Sequence, residues 1–123
     1  TRDFFKRRAI DIVQPNISRT GGITEARRIA AMSRAFHIPY APHTGSCSAV
    51  CLAATLQFSV ALPNFLTFEF MQSDWSKSQP NPLRHNLLNQ KVEILEDGHM
   101  KVPEGAGIGA ELNMDVVDNY RVA

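Results

Sequence analysis

Three short apolar stretches alternate with two helical patterns across residues 1–70, and this alternation constrains the fold more than any other feature. The first stretch, Ala9 to Pro15, is rich in β-branched residues and stops at Pro15, which has no N–H to give to a ladder. It reads as a strand buried on both faces, the parallel-sheet type. The second runs from Ile38 to Pro42 and the third from Phe65 to Phe70, ending near Glu69. Between the first two, Arg19-Thr20-Gly21-Gly22 is a turn and Thr24 is the expected N-cap of a helix. Glu25 suits its first turn, where the helix dipole favours negative charge. That helix is expected to reach about Phe36, with Ala26, Ile29, Ala30, Met32 and Phe36 on one face and Arg27, Arg28 and Arg34 largely outside it. The second helical run, Ser46 to Ala61, is apolar nearly all round and is stopped by Pro63. Strand, helix, strand, helix, strand predicts an α/β fold: a parallel sheet with right-handed crossovers.

The remainder has another character. Met71 to Asn89, with Trp75, Pro80, Pro82 and Arg84, reads as a long irregular loop. Val92 to Leu95 and His99 to Val102 flank Glu96-Asp97-Gly98, a strong hairpin signal. Gly105-Ala106-Gly107-Ile108-Gly109 follows this hairpin and lacks dinucleotide-fingerprint spacing, so it reads as a packing or turn segment. Asn113 is a candidate cap for a last helix, Met114 to Tyr120.

Composition narrows the partners. The formal charge of +1 gives no electrostatic reason to expect nucleic acid or an anionic membrane. No apolar run approaches ~18 residues. The N-terminus lacks an apolar signal core and an initiator methionine, so a truncated or processed start is expected. Cys47 and Cys51 lie four apart on a helical run, where a disulfide would be strained. No Cys-x-x-Cys pair suggests zinc. Two reduced, buried thiols in a reducing, cytoplasmic setting are expected.

The stretch ends carry the candidate chemistry. His43 follows Pro42 at a strand tip, and histidine has a pKa suited to general base work. A structural histidine bonded at a strand end is the plainer reading. Asn16 ends the preceding strand in the equivalent position, and neighbouring strands lie ~4.8 Å apart. It can hold His43 by accepting a ring N–H bond, or simply initiate a turn after Pro15. Asp11 lies five residues back, ~16 Å at ~3.3 Å per residue, and belongs at the other end of the sheet. Glu69, between Phe68 and Phe70, is in an apolar setting that favours a protonated carboxyl able to donate to an oxyanion. A strand-end carboxylate paired with an arginine fits equally.

These same stretches carry a family resemblance. Asp11 to Thr24, with Gln14-Pro15-Asn16 and Gly21-Gly22-Ile23-Thr24, resembles the sixth barrel strand and following loop of the mandelate racemase and muconate lactonizing branch of the enolase superfamily. Ile38 to Gly45 is similar to its seventh strand, and Asn64 to Glu69 to its eighth. Asp97 to Gly109 resembles the segment that returns to the capping domain. The implied fold is the C-terminal portion, strands six to eight, of a β/α TIM barrel, with residues 1–90 as partial barrel and 91–123 as hairpin and capping-region segment.

In that family an Asp–His dyad abstracts the proton α to a carboxylate, and a magnesium ion and an acidic residue after the eighth strand stabilise the enediolate. His43 matches the dyad histidine and Glu69 the electrophilic acid. Asn16 stands where the family has aspartate. The magnesium ligands would come from the third to fifth strands, outside this chain. A complete barrel takes ~250 residues. The resemblance therefore implies a C-terminal fragment of a magnesium-dependent enzyme, inactive alone. Pro42-His43-Thr44-Gly45 and Pro82-Leu83-Arg84 resemble acid-sugar dehydratases within the branch. A racemase, a cycloisomerase or a non-catalytic barrel fragment are the rival readings. The implied partners are a sugar-acid carboxylate, the rest of the barrel and capping domain, and further copies of the protein.

Overall fold

A computed structural model describes residues 1–71 and 81–122. The three apolar stretches lie side by side in sequence order, as parallel neighbours: Val13 bridges Tyr40, and Tyr40 bridges Phe65. The bonds that hold them are few. Val13 N–H donates to Pro39 O at 3.0 Å, Ala41 N–H to Val13 O at 3.0 Å and His43 N–H to Pro15 O at 3.1 Å. On the other side, Tyr40 N–H donates to Asn64 O and Leu66 N–H to Tyr40 O, both at 2.9 Å. The expected strands are thus extended segments with single-residue bridges. They are also not buried on both faces. Val13 and Tyr40 are buried, but Ile12 is 47% and Leu66 51% exposed. Alternation sends neighbouring side chains to opposite faces, and helices cover only one of them.

The described residues form six helices. The first, α1 (Arg2–Lys6), has no counterpart in the sequence expectation; it buries Phe5, which meets Phe36 at 6.0 Å between ring centroids. α2 (Ile17–Thr20) is one turn, capped by Asn16, whose side chain accepts from Ser18 N–H. α3 (Gly22–Ala35) starts directly after it. Its N-cap is Gly21, at φ 104, so Thr24 lies inside the helix and does not cap it. Gly21 closes α2 and opens α3, and a left-handed residue lets one position do both. Ala26, Ile29, Ala30 and Ser33 form the buried stripe, at helical spacing. Phe36 lies just past the helix end and is 41% exposed, so it joins the core only through Phe5.

α4 (Ala49–Val60) is shorter than expected at its start, because the Ser48 side chain caps it by accepting from Cys51 N–H. It is buried nearly all round and separates two cores. Phe58 packs with Tyr40, Ile29 and Phe5 on one side, and Leu52 and Leu56 with Leu88 and Val92 on the other. Its buried hydroxyls are satisfied within the helix: Thr55 Oγ1 donates to Cys51 O and Ser59 Oγ to Thr55 O, both at 2.6 Å. Cys47 and Cys51 are free, buried thiols, as expected.

The loop expectation for Met71 to Asn89 holds only in part. Trp75 and Pro80 fall outside the described residues. Beyond them α5 (Pro82–His85) forms a capped turn, and Arg84 in it is 3% exposed, ion-paired through Nε with Glu93 Oε1. Leu88 then bridges Leu112 antiparallel. The hairpin is present but short: β1 (Leu95–Glu96) and β2 (His99–Met100) pair Leu95 with Met100 and Glu96 with His99. Asp97 and Gly98 turn it with φ of 48 and 77. The glycine segment packs: a Cβ at Gly109 would stand 2.8 Å from the Pro103 backbone. Gln57 Nε2 donates to Pro103 O at 2.5 Å, tying this segment to α4. Asn113 caps α6 (Met114–Asn119), as expected.

Candidate active site

The three extended segments end together. His43 N–H on Pro15 O draws the second tip beside the first, where Asn16 is 6% exposed. Asn16 Nδ2 then reaches His43 Nδ1 at 3.2 Å. Glu69 stands on the other side of the ring, its Oε2 3.9 Å from Nε2. The His43 and Glu69 side chains are 34% and 25% exposed, so the ring is held yet open to a solute. Asp11 is exposed and shares a surface hollow with His37 and Ile38, at the start of the second segment. The structure brings Asn16, His43 and Glu69 together and leaves Asp11 away from them.

Two details differ from the sequence expectation. Asn16 was expected to accept a ring N–H. Its Oδ1 instead accepts from Ser18 N–H at 2.9 Å and Ser18 Oγ at 2.6 Å. A backbone N–H only donates, so the atom facing it must be the amide oxygen. The amide nitrogen therefore faces His43, and Asn16 donates. Glu69, for its part, was expected in apolar surroundings. Its Oε2 accepts from Thr44 N–H at 2.6 Å and Gly45 N–H at 3.2 Å. Thr44 Oγ1 also donates to Glu69 O at 2.5 Å.

Thr44, Gly45 and Ser18 are site residues that the sequence reading missed. In the sequence, Thr44 and Gly45 enter only through the family resemblance of the stretch around His43. Gly45 is required by close approach: a Cβ there would meet the His43 ring at 3.1 Å. Beneath the site, the Cys51 thiol is pulled down, chiefly by a hydrogen bond from Cys47, with Ser18 and Thr55 adding to it against the opposing pull of burial. The same bond, with burial, pushes Cys47 up. Ser18 thus links the buried thiol pair to Asn16.

Over residues 1–116 the chain matches the model of a family described as enolase C-terminal domain-like. The chain belongs to that family. Its relatives in the enolase superfamily are enzymes by name. It is 32% identical over 123 residues to the D-xylonate dehydratase of Haloferax volcanii, spanning 98% of this chain and 27% of that protein. It is 30% identical to the arabinonate dehydratase of Saccharolobus solfataricus, spanning 97% and 30%. The D-galactarolactone cycloisomerase of Agrobacterium fabrum is 29% identical over 93% of this chain and 30% of its own length. Among solved structures, an enolase superfamily member from Polaromonas sp. JS666 superposes with a TM-score of 0.78 at 33% identity, covering 100% of this chain and 32% of that one. A mandelate racemase/muconate lactonizing enzyme from Sulfitobacter sp. gives 0.78 at 28% identity, over 97% and 28%. The chain thus spans under a third of the length of these relatives.

Among the described residues no group of three or more His, Cys, Asp or Glu could hold a metal. Nor is any described helix long and apolar enough to cross a membrane.

Proposed function

We propose that this chain forms the C-terminal part of an acid-sugar dehydratase. Residues 1–90 would supply barrel strands six to eight, and 91–123 the hairpin and the segment returning to a capping region. The observation that carries this reading is the meeting of Asn16, His43 and Glu69 at the tips of three neighbouring parallel segments. In barrels of parallel strands that end is where chemistry is built. The dehydratase names of relatives near 30% identity support the reaction class. Among the described residues Val13 and Phe65 each bridge only Tyr40, which leaves an open edge on either side, and Ile12 and Leu66 expose an uncovered face; both support the remaining barrel as a partner.

In the intact protein the reaction would remove the proton α to a sugar-acid carboxylate and expel the β-hydroxyl as the double bond forms. The enol product then becomes a 2-keto-3-deoxy acid. From this chain, His43 presents Nε2 to the substrate, and Asn16 fixes the ring plane through Nδ1. Glu69, anchored by the Thr44 and Gly45 N–H groups, walls the far side. Magnesium, with ligands from outside this chain, is expected in the complete enzyme, where it would hold the substrate carboxylate. A reducing, cytoplasmic setting fits the two free, buried thiols, and a homo-oligomer is the expected assembly of the complete protein.

A cycloisomerase is the second reading, favoured by the Agrobacterium relative. The complete protein, incubated with magnesium and a panel of sugar acids and their lactones, separates the two. Formation of 2-keto-3-deoxy acids is the expected result. Lactone conversion without any keto product would give the cycloisomerase, and no conversion at all would leave a non-catalytic segment.

A further inference from the structure

We propose that Asn16 fixes the neutral His43 ring as the Nε2–H tautomer, making His43 a hydrogen-bond donor to a substrate oxygen and leaving α-proton removal to a base outside this chain. This deepens the dehydratase reading of the same site and rests on it for the identity of the acceptor. The tautomer itself does not depend on that reading.

The tautomer is set at Ser18, two residues beyond Asn16. Ser18 gives Asn16 Oδ1 two donors, its backbone N–H at 2.9 Å and its hydroxyl at 2.6 Å. The first of these is also the cap of α2. Turning the amide over would set an NH2 group against a backbone N–H, donor against donor, and uncap the helix. The amide orientation is therefore dictated by the chain's own fold. Nδ2 faces Nδ1 at 3.2 Å as a donor, so the neutral ring must offer a lone pair there. Its single proton is then on Nε2.

A carboxylate in Asn16's place would do the reverse. It would accept an Nδ1–H and leave the Nε2 lone pair free to take a proton. With the amide, Nε2 carries a hydrogen and cannot accept one. A neutral imidazole aimed at a carbonyl or carboxylate oxygen serves as a fixed donor where charge develops. The direction of this donor is set on both sides. Asn16 holds one edge of the ring, and Gly45 lies against the other, where a Cβ would stand 3.1 Å from Nε2. Glu69 Oε2, at 3.9 Å, is beyond hydrogen-bond distance, so the Nε2–H is not committed to it.

The test reads the proton directly. The complete protein is labelled with 15N and 13C histidine and studied by NMR at a pH where the ring is neutral, with His43 assigned from the spectrum of His43→Gln. Wild type is expected to show a protonated Nε2 and a bare Nδ1. Asn16→Asp keeps a side-chain acceptor for Ser18 N–H, so α2 stays capped, and it is expected to move the proton to Nδ1. Ser18→Ala keeps the backbone N–H and is expected to leave the proton on Nε2. A wild-type ring protonated at Nδ1, or an Asn16→Asp ring still protonated at Nε2, overturns the proposal. The Nε2–H signature in a protein that yields no keto acid would sink the dehydratase reading and leave the tautomer assignment standing.

Discussion

Thr44 and Glu69 are bonded twice across two segment tips: Thr44 N–H donates to Glu69 Oε2, and Thr44 Oγ1 donates to Glu69 O. Thr44 is fully buried, so its two donors have no solvent to turn to, while the Glu69 side chain stays a quarter exposed. Thr44→Val keeps the shape and removes the hydroxyl, leaving a carbonyl short of its donor. A loss of about 1–2 kcal/mol is expected from denaturant unfolding. An unchanged midpoint would show that the hydroxyl bond contributes nothing.

Arg84 and Glu93 form the buried ion pair of the C-terminal half. Glu93→Ala removes one partner of a guanidinium that is 3% exposed, and breaking a buried pair costs up to about 3–5 kcal/mol. The Arg84 guanidinium also lies 5.9 Å over the Phe70 ring, which places the expected loss at the lower end, about 3 kcal/mol. Glu93→Gln keeps an acceptor and should lose less. Equal losses in the two variants, measured by thermal unfolding, would assign the effect to packing and not to charge.

Tyr40 is fully buried, and its hydroxyl has no hydrogen-bond partner among the described residues. Burial pushes this phenol up to about 12. The unfolded chain ionises it near 10, so between those values the folded state binds more protons than the unfolded one. The stability tied to neutral Tyr40 is therefore complete below about pH 10 and is lost as pH rises towards about 12. Tyr40→Phe should remove that alkaline slope and be neutral or slightly stabilising near pH 7, since it deletes an orphaned polar group. A slope that survives in Tyr40→Phe would place the titration elsewhere.

The fold was legible where local pattern and tertiary packing agree. The three extended segments and α4 fall where apolar runs and Pro63 put them. Single-residue bridges replaced full strands because helices cover one face only, and composition does not say which face is left open. The start of α3 was misread because Gly21, already left-handed as the end of α2, pre-empted Thr24 as cap. α2 had its signal in Asn16, which the sequence also offers as the initiator of a turn after Pro15; the one-turn α2 that it caps is that turn. The site was legible as residues and not as bonds. Whether Asn16 donates or accepts depends on Ser18, and the anchoring of Glu69 depends on backbone N–H groups that carry no sequence signature. The Arg84–Glu93 pair joins α5 to the segment that follows it, nine residues on, a contact no periodicity predicts.

The central claim is that the histidine at the second tip serves the chemistry of a sugar-acid dehydratase. Its most direct test compares the complete wild-type protein with His43→Gln, with magnesium and the sugar-acid panel, by the rate of 2-keto-3-deoxy acid formation. Circular dichroism confirms that both are folded. The account predicts a keto product from at least one acid with the wild type, and a rate at least ~100-fold lower in the variant. No product from any acid, or a variant as fast as wild type, would contradict it.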